Sequence, residues 1–390
     1  MLRIVGGEVF GGAGFASADL TVKGGRIVAV EPRGDVSPEG EGSSDTGEVL
    51  DARGCYVIPG LIDLHFHGCR GADLCDGTED AIRTIARFEA SRGVTAICPA
   101  TMTYPEERLA AIMRAVRAFS PEADEAQLVG VNMEGPFISP DKVGAQNPAY
   151  VQEPDLAMLE RLQEEAGGLV KLVDVAPEVP GALEFIAQAS GAVRISLAHT
   201  CADYDCAREA FAMGARQLTH TFNAMPGLHH RNPGPIAAAR ECPEATVELI
   251  ADGVHVHPAM VRLAFALFGA DRVILISDSM RACGLADGTY DLGGQDVEVR
   301  GPRATLVDGT IAGSVTDLAS CVRHAVREMG IPLADAVRAA TLTPARALGI
   351  DGERGTLEPG KVADAVLLDR ETLEVRAVVL RGTPLPRTSR

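Results

Sequence analysis

The sequence predicts an α/β protein: a (β/α)8 TIM barrel joined to a small β-sandwich domain formed by the N- and C-terminal segments. Three observations predict it. From Pro59 onward, short apolar runs alternate with longer stretches of helical period. On both sides of that region the residues return to a two-residue alternation punctuated by glycine. Acidic and imidazole side chains recur where the apolar runs end, and barrels of this class gather their chemistry at the C-terminal ends of their strands.

Residues 1–58 read as short strands. LTVKGGRIVAVEP (20–32) alternates around Gly24-Gly25, a hairpin signal, and VLDARGCYVIPG (49–60) reads as strand, turn, strand. Between them, GDVSPEGEGSSDTGE (34–48) is polar and Gly/Ser-rich, which predicts a surface loop. The barrel is expected over 59–348. Its eight runs are LIDLHFHG, VTAICPATMT, LVGVNMEGPF, VKLVDVAPE, VRISLAHT, QLTHTFNAM, TVELIADGVHV and RVILISDSM. Their near-continuous apolarity fits strands buried on both faces. Segments such as EDAIRTIARFEASRG and PEERLAAIMRAVRAF between them have helical period. Residues 349–390 return to strand character in TLEPGKVADAVLLD and LEVRAVVLRG, and are expected to meet residues 1–58 in the small domain.

The chain has 390 residues, 46% of them hydrophobic, enough for a large core. Lys and Arg number 36 against 54 Asp and Glu, a net charge of −18, which argues against nucleic acid and anionic membranes as partners. An anionic substrate would need local positive charge. MLRIVGG lacks a secretory pattern, and no apolar run approaches the ~18 residues of a membrane span. Nine cysteines without a CxxC pair complete the expectation of a reduced, cytoplasmic protein, with Cys69 and Cys75 as small buried thiols.

In the stretch PGLIDLHFHG, strand alternation puts Asp63, His65 and His67 on one face and Ile62, Leu64 and Phe66 on the other. The other strand ends supply Glu134, His199, His220 and Asp278. Nitrogen and carboxylate donors converging from several strands suit a divalent metal, Zn2+ first, with Fe2+, Mn2+ or Co2+ as alternatives.

PGLIDLHFHG and the late PGKVADAVLLD resemble the amidohydrolase superfamily. MEGPFISP, SLAHT, HTFNAMPGLHHRNPG, ADGVHVHP and AGSVTDL are similar, more narrowly, to the N-acetylglucosamine-6-phosphate deacetylase family, and the resemblance spans nearly the whole chain. Lys171 stands at the start of its strand, so the resemblance makes Glu134, not a carboxylated lysine, the bridging ligand. It implies a primary metal on Glu134, His199 and His220. It implies a second site with His65 and His67, so one or two ions per subunit.

The implied reaction is hydrolysis of the acetamide of N-acetylglucosamine 6-phosphate to glucosamine 6-phosphate and acetate, in amino-sugar metabolism. The metal acidifies water, and Asp278 takes the water proton and returns it to the departing amine. Gln146 stands where the family carries a histidine; it is either a substrate contact or a loop residue. Asn223, Ala224 and His255 are implied around the phosphate. Arg231 matches the arginine that the family inserts from a neighbouring subunit, which implies a homodimer. The segment 309–318 is expected to approach the sugar. Asp63 either orients a ligand histidine or fixes the strand-end backbone. N-acetylgalactosamine 6-phosphate is the alternative substrate; another amidohydrolase acting on a cyclic amide, and a non-catalytic barrel, are further alternatives.

Overall fold

The computed structural model describes residues 1–33 and 47–386. Most of the expected Gly/Ser-rich loop, residues 34–46, lies outside the described residues, and Glu48 already begins a strand. Eight parallel strands follow in chain order: β1 (Leu61–Asp63), β2 (Val94–Ile97), β3 (Val131–Met133), β4 (Val170–Val175), β5 (Arg194–Leu197), β6 (Gln217–Leu218), β7 (Thr246–Ile250) and β8 (Val273–Ile276). Each is followed by a helix, from Glu79–Ser91 after β1 to Leu318–Arg327 after β8. The helices begin where the sequence supplies caps. Thr78, Asp155, Asp203 and Asp317 each accept a backbone N–H of the first turn through their side-chain oxygen.

Hydrogen bonding runs without interruption from β3 to β8. The short segment Gln127–Leu128, just before β3, pairs with β2, and β2 pairs with β1. Backbone bonds from Asn132 to Pro99 and from Thr101 to Asn132 connect the two arcs. The expected closed barrel is corrected: none is found among the described residues, where only an isolated bridge, Ala100 to Asn132, and those backbone bonds join β2 to β3, and no strand ladder joins β8 to β1. Asp63 occupies the seam between β8 and β1. Its carboxylate accepts the Ser277 N–H at 3.3 Å, where a closed barrel would offer a backbone carbonyl. Beyond the strand ends the backbones meet again, with the Asp278 N–H donating to the His65 carbonyl at 3.0 Å and the His67 N–H to the Ser279 carbonyl at 2.7 Å. The result is a mixed α/β fold around a curled parallel sheet.

Two apolar clusters follow from strand alternation. Ile62, Leu64, Cys98, Leu172, Ile250, Ile274 and Ile276 meet in one cluster, which fills the inside of the curl. Their neighbours Val247, Leu249, Val273 and Leu275 join the larger cluster with helix residues such as Ile82, Ile85 and Leu109. Phe66 belongs to this outer cluster, so the expected alternation of PGLIDLHFHG is also corrected. The strand ends at Asp63, and beyond it the backbone turns Phe66 away from Ile62 and Leu64.

The two ends of the chain share a third cluster that includes Leu2, Ile4, Val57, Leu367 and Val379. The expected sandwich is one hydrogen-bonded sheet of eight strands, in which Cys55–Pro59 pairs with Ala365–Asp369. No helix among the described residues is long and apolar enough to cross a membrane.

Candidate metal centre and substrate pocket

The strand ends bring His65, His67, Glu134, His199, His220 and Asp278 into one place. All six are at most 7% exposed. Glu134, just after β3, is the hub. Its Oε1 lies 3.0 Å from His199 Nε2, 3.1 Å from His220 Nε2 and 3.5 Å from His65 Nε2; its Oε2 lies 3.3 Å from His67 Nε2. Two triads share this carboxylate: His65, His67, Glu134 and Glu134, His199, His220. Three strand-end residues hold left-handed backbone, His199 at φ 44°, His220 at 26° and Asp278 at 48°. Such conformations cost of order 1–3 kcal/mol each and collect at functional sites.

The hydrogen bonds decide what the rings offer. His199 Nδ1 lies 2.9 Å from the Lys142 carbonyl, and His65 Nδ1 lies 2.8 Å from Glu248 Oε2. Both partners only accept, so each Nδ1 carries the proton and each Nε2 presents a lone pair. Those lone pairs face Glu134 Oε1. Acceptor against acceptor is repulsive unless a cation, a metal ion or a second ring proton, lies between them. His65 Nε2 is buried without a hydrogen-bond partner. The donor set therefore fits a divalent metal ion, three ligands to a site with Glu134 shared.

Electrostatics keep the hub a carboxylate and let the rings carry positive charge beside it. Burial by itself would raise the Glu134 carboxyl; His65, His199 and His220 reverse this and hold it well below the usual carboxylate range. Burial works against a charged His65, but Glu248 and Glu134 outweigh it and lift its pKa. A third acidic group, Glu122, Asp124 and Glu125, is already paired with Arg83 and Arg87.

Beside the cluster opens a cavity of about 530 Å³. His67, Glu134, His199, His220 and Asp278 form part of its wall, with Gln146, Asn223, Ala224 and His255. Gln146 is anchored at both ends: its Oε1 accepts the Thr103 N–H at 2.7 Å and its Nε2 donates to Glu134 Oε2 at 2.7 Å. One amide N–H is left for a substrate. Asn223 Nδ2 donates to the His220 carbonyl at 3.1 Å. His255 Nδ1 is 2.7 Å from Asp252 Oδ2. Burial lowers the His255 pKa, and Asp252 more than restores it, so the net shift is upward.

Arg231 does not line this cavity. It is exposed and contacts His230 at 2.7 Å. Within 309–318, Thr310, Ile311 and Gly313 reach the wall. A larger cavity of about 880 Å³, lined by Arg87, Asp369 and Arg376 among others, has no imidazole–carboxylate group among the described residues of its lining and lies away from this chemistry.

Sequence reasoning missed four residues. Lys142 supplies the carbonyl that sets the His199 ring. Asp252 pairs with His255 and raises its pKa. Asp308 stands at the cavity wall. Glu248 holds His65; its signal was a lone charge inside the apolar run TVELI. Asp63 accepts backbone N–H groups of His65 and Ser277 at 3.3 Å, which settles its role as a strand-end clamp.

The amidohydrolase family model matches residues 56–385, which takes in the curled sheet and the whole site. The chain belongs to the amidohydrolase family. Among its amidohydrolase relatives, N-acetylglucosamine-6-phosphate deacetylase of Bacillus subtilis (strain 168) is 36% identical over 84% of this chain and 83% of its own length. N-acetylgalactosamine-6-phosphate deacetylase of Escherichia coli O157:H7 is 38% identical over 84% of this chain and 86% of its own. Among solved structures, N-acetyl-D-glucosamine-6-phosphate deacetylase of Mycobacterium smegmatis in complex with N-acetyl-D-glucosamine-6-phosphate superposes with a TM-score of 0.89 at 34% identity, over 98% of both chains.

Proposed function

We propose that this amidohydrolase is a deacetylase that hydrolyses the acetamide of N-acetylglucosamine 6-phosphate to glucosamine 6-phosphate and acetate. One observation carries the reading: a cavity of about 530 Å³ has the Glu134 cluster and Asp278 on its wall together with Asn223 and His255, which is paired with Asp252. One region suits amide chemistry and the other an anion. The relatives' names supply the sugar.

Glu134, His199 and His220 would hold the primary ion, and His65 and His67 with Glu134 a second. Zn2+ fits these nitrogen and oxygen donors, as do Fe2+, Mn2+ and Co2+. When bound, such an ion supplies Lewis acidity: it polarises a carbonyl and makes water a nucleophile at neutral pH. Asp278 is the base. Its Oδ1 lies 3.4 Å from His67 Nε2. Burial would raise its pKa, but His67, His65 and His220 hold it below the ordinary value, so it is a carboxylate at neutral pH. It accepts the proton from water and delivers it to the amine nitrogen as the C–N bond breaks. Gln146 steadies Glu134 and keeps one N–H for the substrate.

Asn223, the backbone of Ala224 and His255 bind the phosphate. Arg231, exposed in its own chain, reaches the site of a second copy in a homodimer, where its guanidinium suits phosphate. We read the curled sheet, residues 59–348, as a (β/α)8 barrel and 1–58 with 349–390 as the small domain, in a cytoplasmic enzyme.

The relative from Escherichia coli O157:H7 favours a second reading, the galacto epimer of the same substrate. The test is turnover of both N-acetylhexosamine 6-phosphates and of the unphosphorylated sugars, with metal analysis of the same sample. The gluco phosphate is expected to turn over fastest. Faster turnover of the galacto phosphate transfers the assignment to that sugar, and equal turnover of unphosphorylated sugar removes the phosphate site.

A further inference from the structure

Glu248 lies on β7, where alternation points it inward with Ile250, and its side chain is fully buried. Only donors meet it. Its Oε2 is 2.8 Å from His65 Nδ1 and accepts the His220 backbone N–H at 3.1 Å; its Oε1 accepts from Gln217 Nε2 at 2.6 Å. Gln217 is itself held in orientation, because its Oε1 accepts from Arg194 Nε at 2.8 Å and from Thr246 Oγ1 at 3.1 Å. His65 belongs to one ligand triad and His220 to the other, so a single carboxylate touches both.

His65 Nδ1 has a competing neighbour. The Asn132 amide nitrogen lies 3.3 Å away. Were it the partner, Nδ1 would accept, the ring proton would sit on Nε2, and that nitrogen could not ligate a metal. Glu248 is closer, charged and only an acceptor, so the proton stays on Nδ1. Its reach to the His220 N–H also fixes a residue of left-handed backbone at φ 26°.

We propose that Glu248 is the positioning residue that makes the His65/His67 side of the cluster a metal site. It selects the His65 ring form whose Nε2 faces Glu134. The inference rests on the two-site reading above and decides how many ions the chain holds.

The test is Glu248→Gln. The new amide has one acceptor and one donor end. If its donor end meets Gln217 Nε2, two donors oppose each other. If it meets His65 Nδ1, that nitrogen must accept and the ligand form is lost. Wild type, Glu248→Gln and His65→Ala are equilibrated with graded free Zn2+ and with Co2+. Bound metal is counted by elemental mass spectrometry, and the Co2+ visible spectrum is recorded.

Wild type is expected to take two ions. Glu248→Gln should bind the second about 10- to 100-fold more weakly, keep the first, and give the Co2+ spectrum of His65→Ala. Two ions held by Glu248→Gln with unchanged affinity overturn the proposal, as does proportional loss of both ions, the mark of a merely structural role. Wild type with one ion overturns it as well, whereas wild type with none overturns the metal reading itself. If Glu248→Gln does not fold, Gln217→Ala, which frees the other end of the carboxylate, should weaken the second ion severalfold; no change there overturns the proposal.

Discussion

Asp278 stands next to His67, on the wall of the cavity, with a depressed carboxyl pKa despite its burial. Replacing it with asparagine keeps the shape and removes the carboxylate proposed as the base. Asp278→Asn is expected to lower kcat about 100- to 10,000-fold with metal content unchanged by elemental analysis; near-normal turnover would end its role as proton carrier. His255 gives a pH signature. Its pKa is raised above the ordinary 6.5, so its ion pair with Asp252 stabilises the fold fully below that ordinary value and fades as pH climbs through the raised one. Asp252 is depressed: burial opposes the shift and His255 overcomes it. Its share is present above the ordinary carboxylate value and fades as pH falls through the lowered one. If His255 binds phosphate, KM for the phosphorylated sugar rises on the alkaline side of the raised His255 pKa. A His255→Gln variant should lack that rise.

Strands and helices place these residues through local rules that sequence shows well. Alternation separates Ile274 and Ile276 from Val273 and Leu275, and caps such as Thr78 and Asp317 start helices where polar residues follow strand ends. The rule fails where regular structure stops. His65 and His67 lie beyond the last strand residue, so alternation does not govern them, and backbone bonds to Asp278 and Ser279 take over. The connection into β1 is tight. A Cβ on Gly60 would lie 2.0 Å from Thr95 Oγ1. Gly60→Ala is expected to destabilise by about 1–3 kcal/mol through overpacking, visible as a lower thermal midpoint; an unchanged midpoint would mean that Thr95 can move aside.

For the molecule as a whole, the cluster ties folding to metal. Lone pairs brought together around Glu134 favour the folded chain only with a cation between them. At free metal about 100 times Kd, one ion adds about 2.7 kcal/mol. Chelation should therefore lower the melting temperature by several degrees and restoration of the ion should recover it; a melting temperature indifferent to chelator would remove the ion from the fold's energetics.

The parallel α/β organisation, the family resemblance and the polar residues at the strand ends are legible in the sequence, because each is written in a local period or a short contiguous pattern. How those residues meet is a property of the folded chain. Asp63 proved to be the clamp at an open seam, Gln146 to be anchored to Glu134, and Arg231 to lie outside its own chain's cavity. Glu248 was a lone acid in an apolar run until folding set it behind His65, 183 positions away. Which ring nitrogen faces a metal depends on what lies across the interior from it, and that distance in sequence has no local signature.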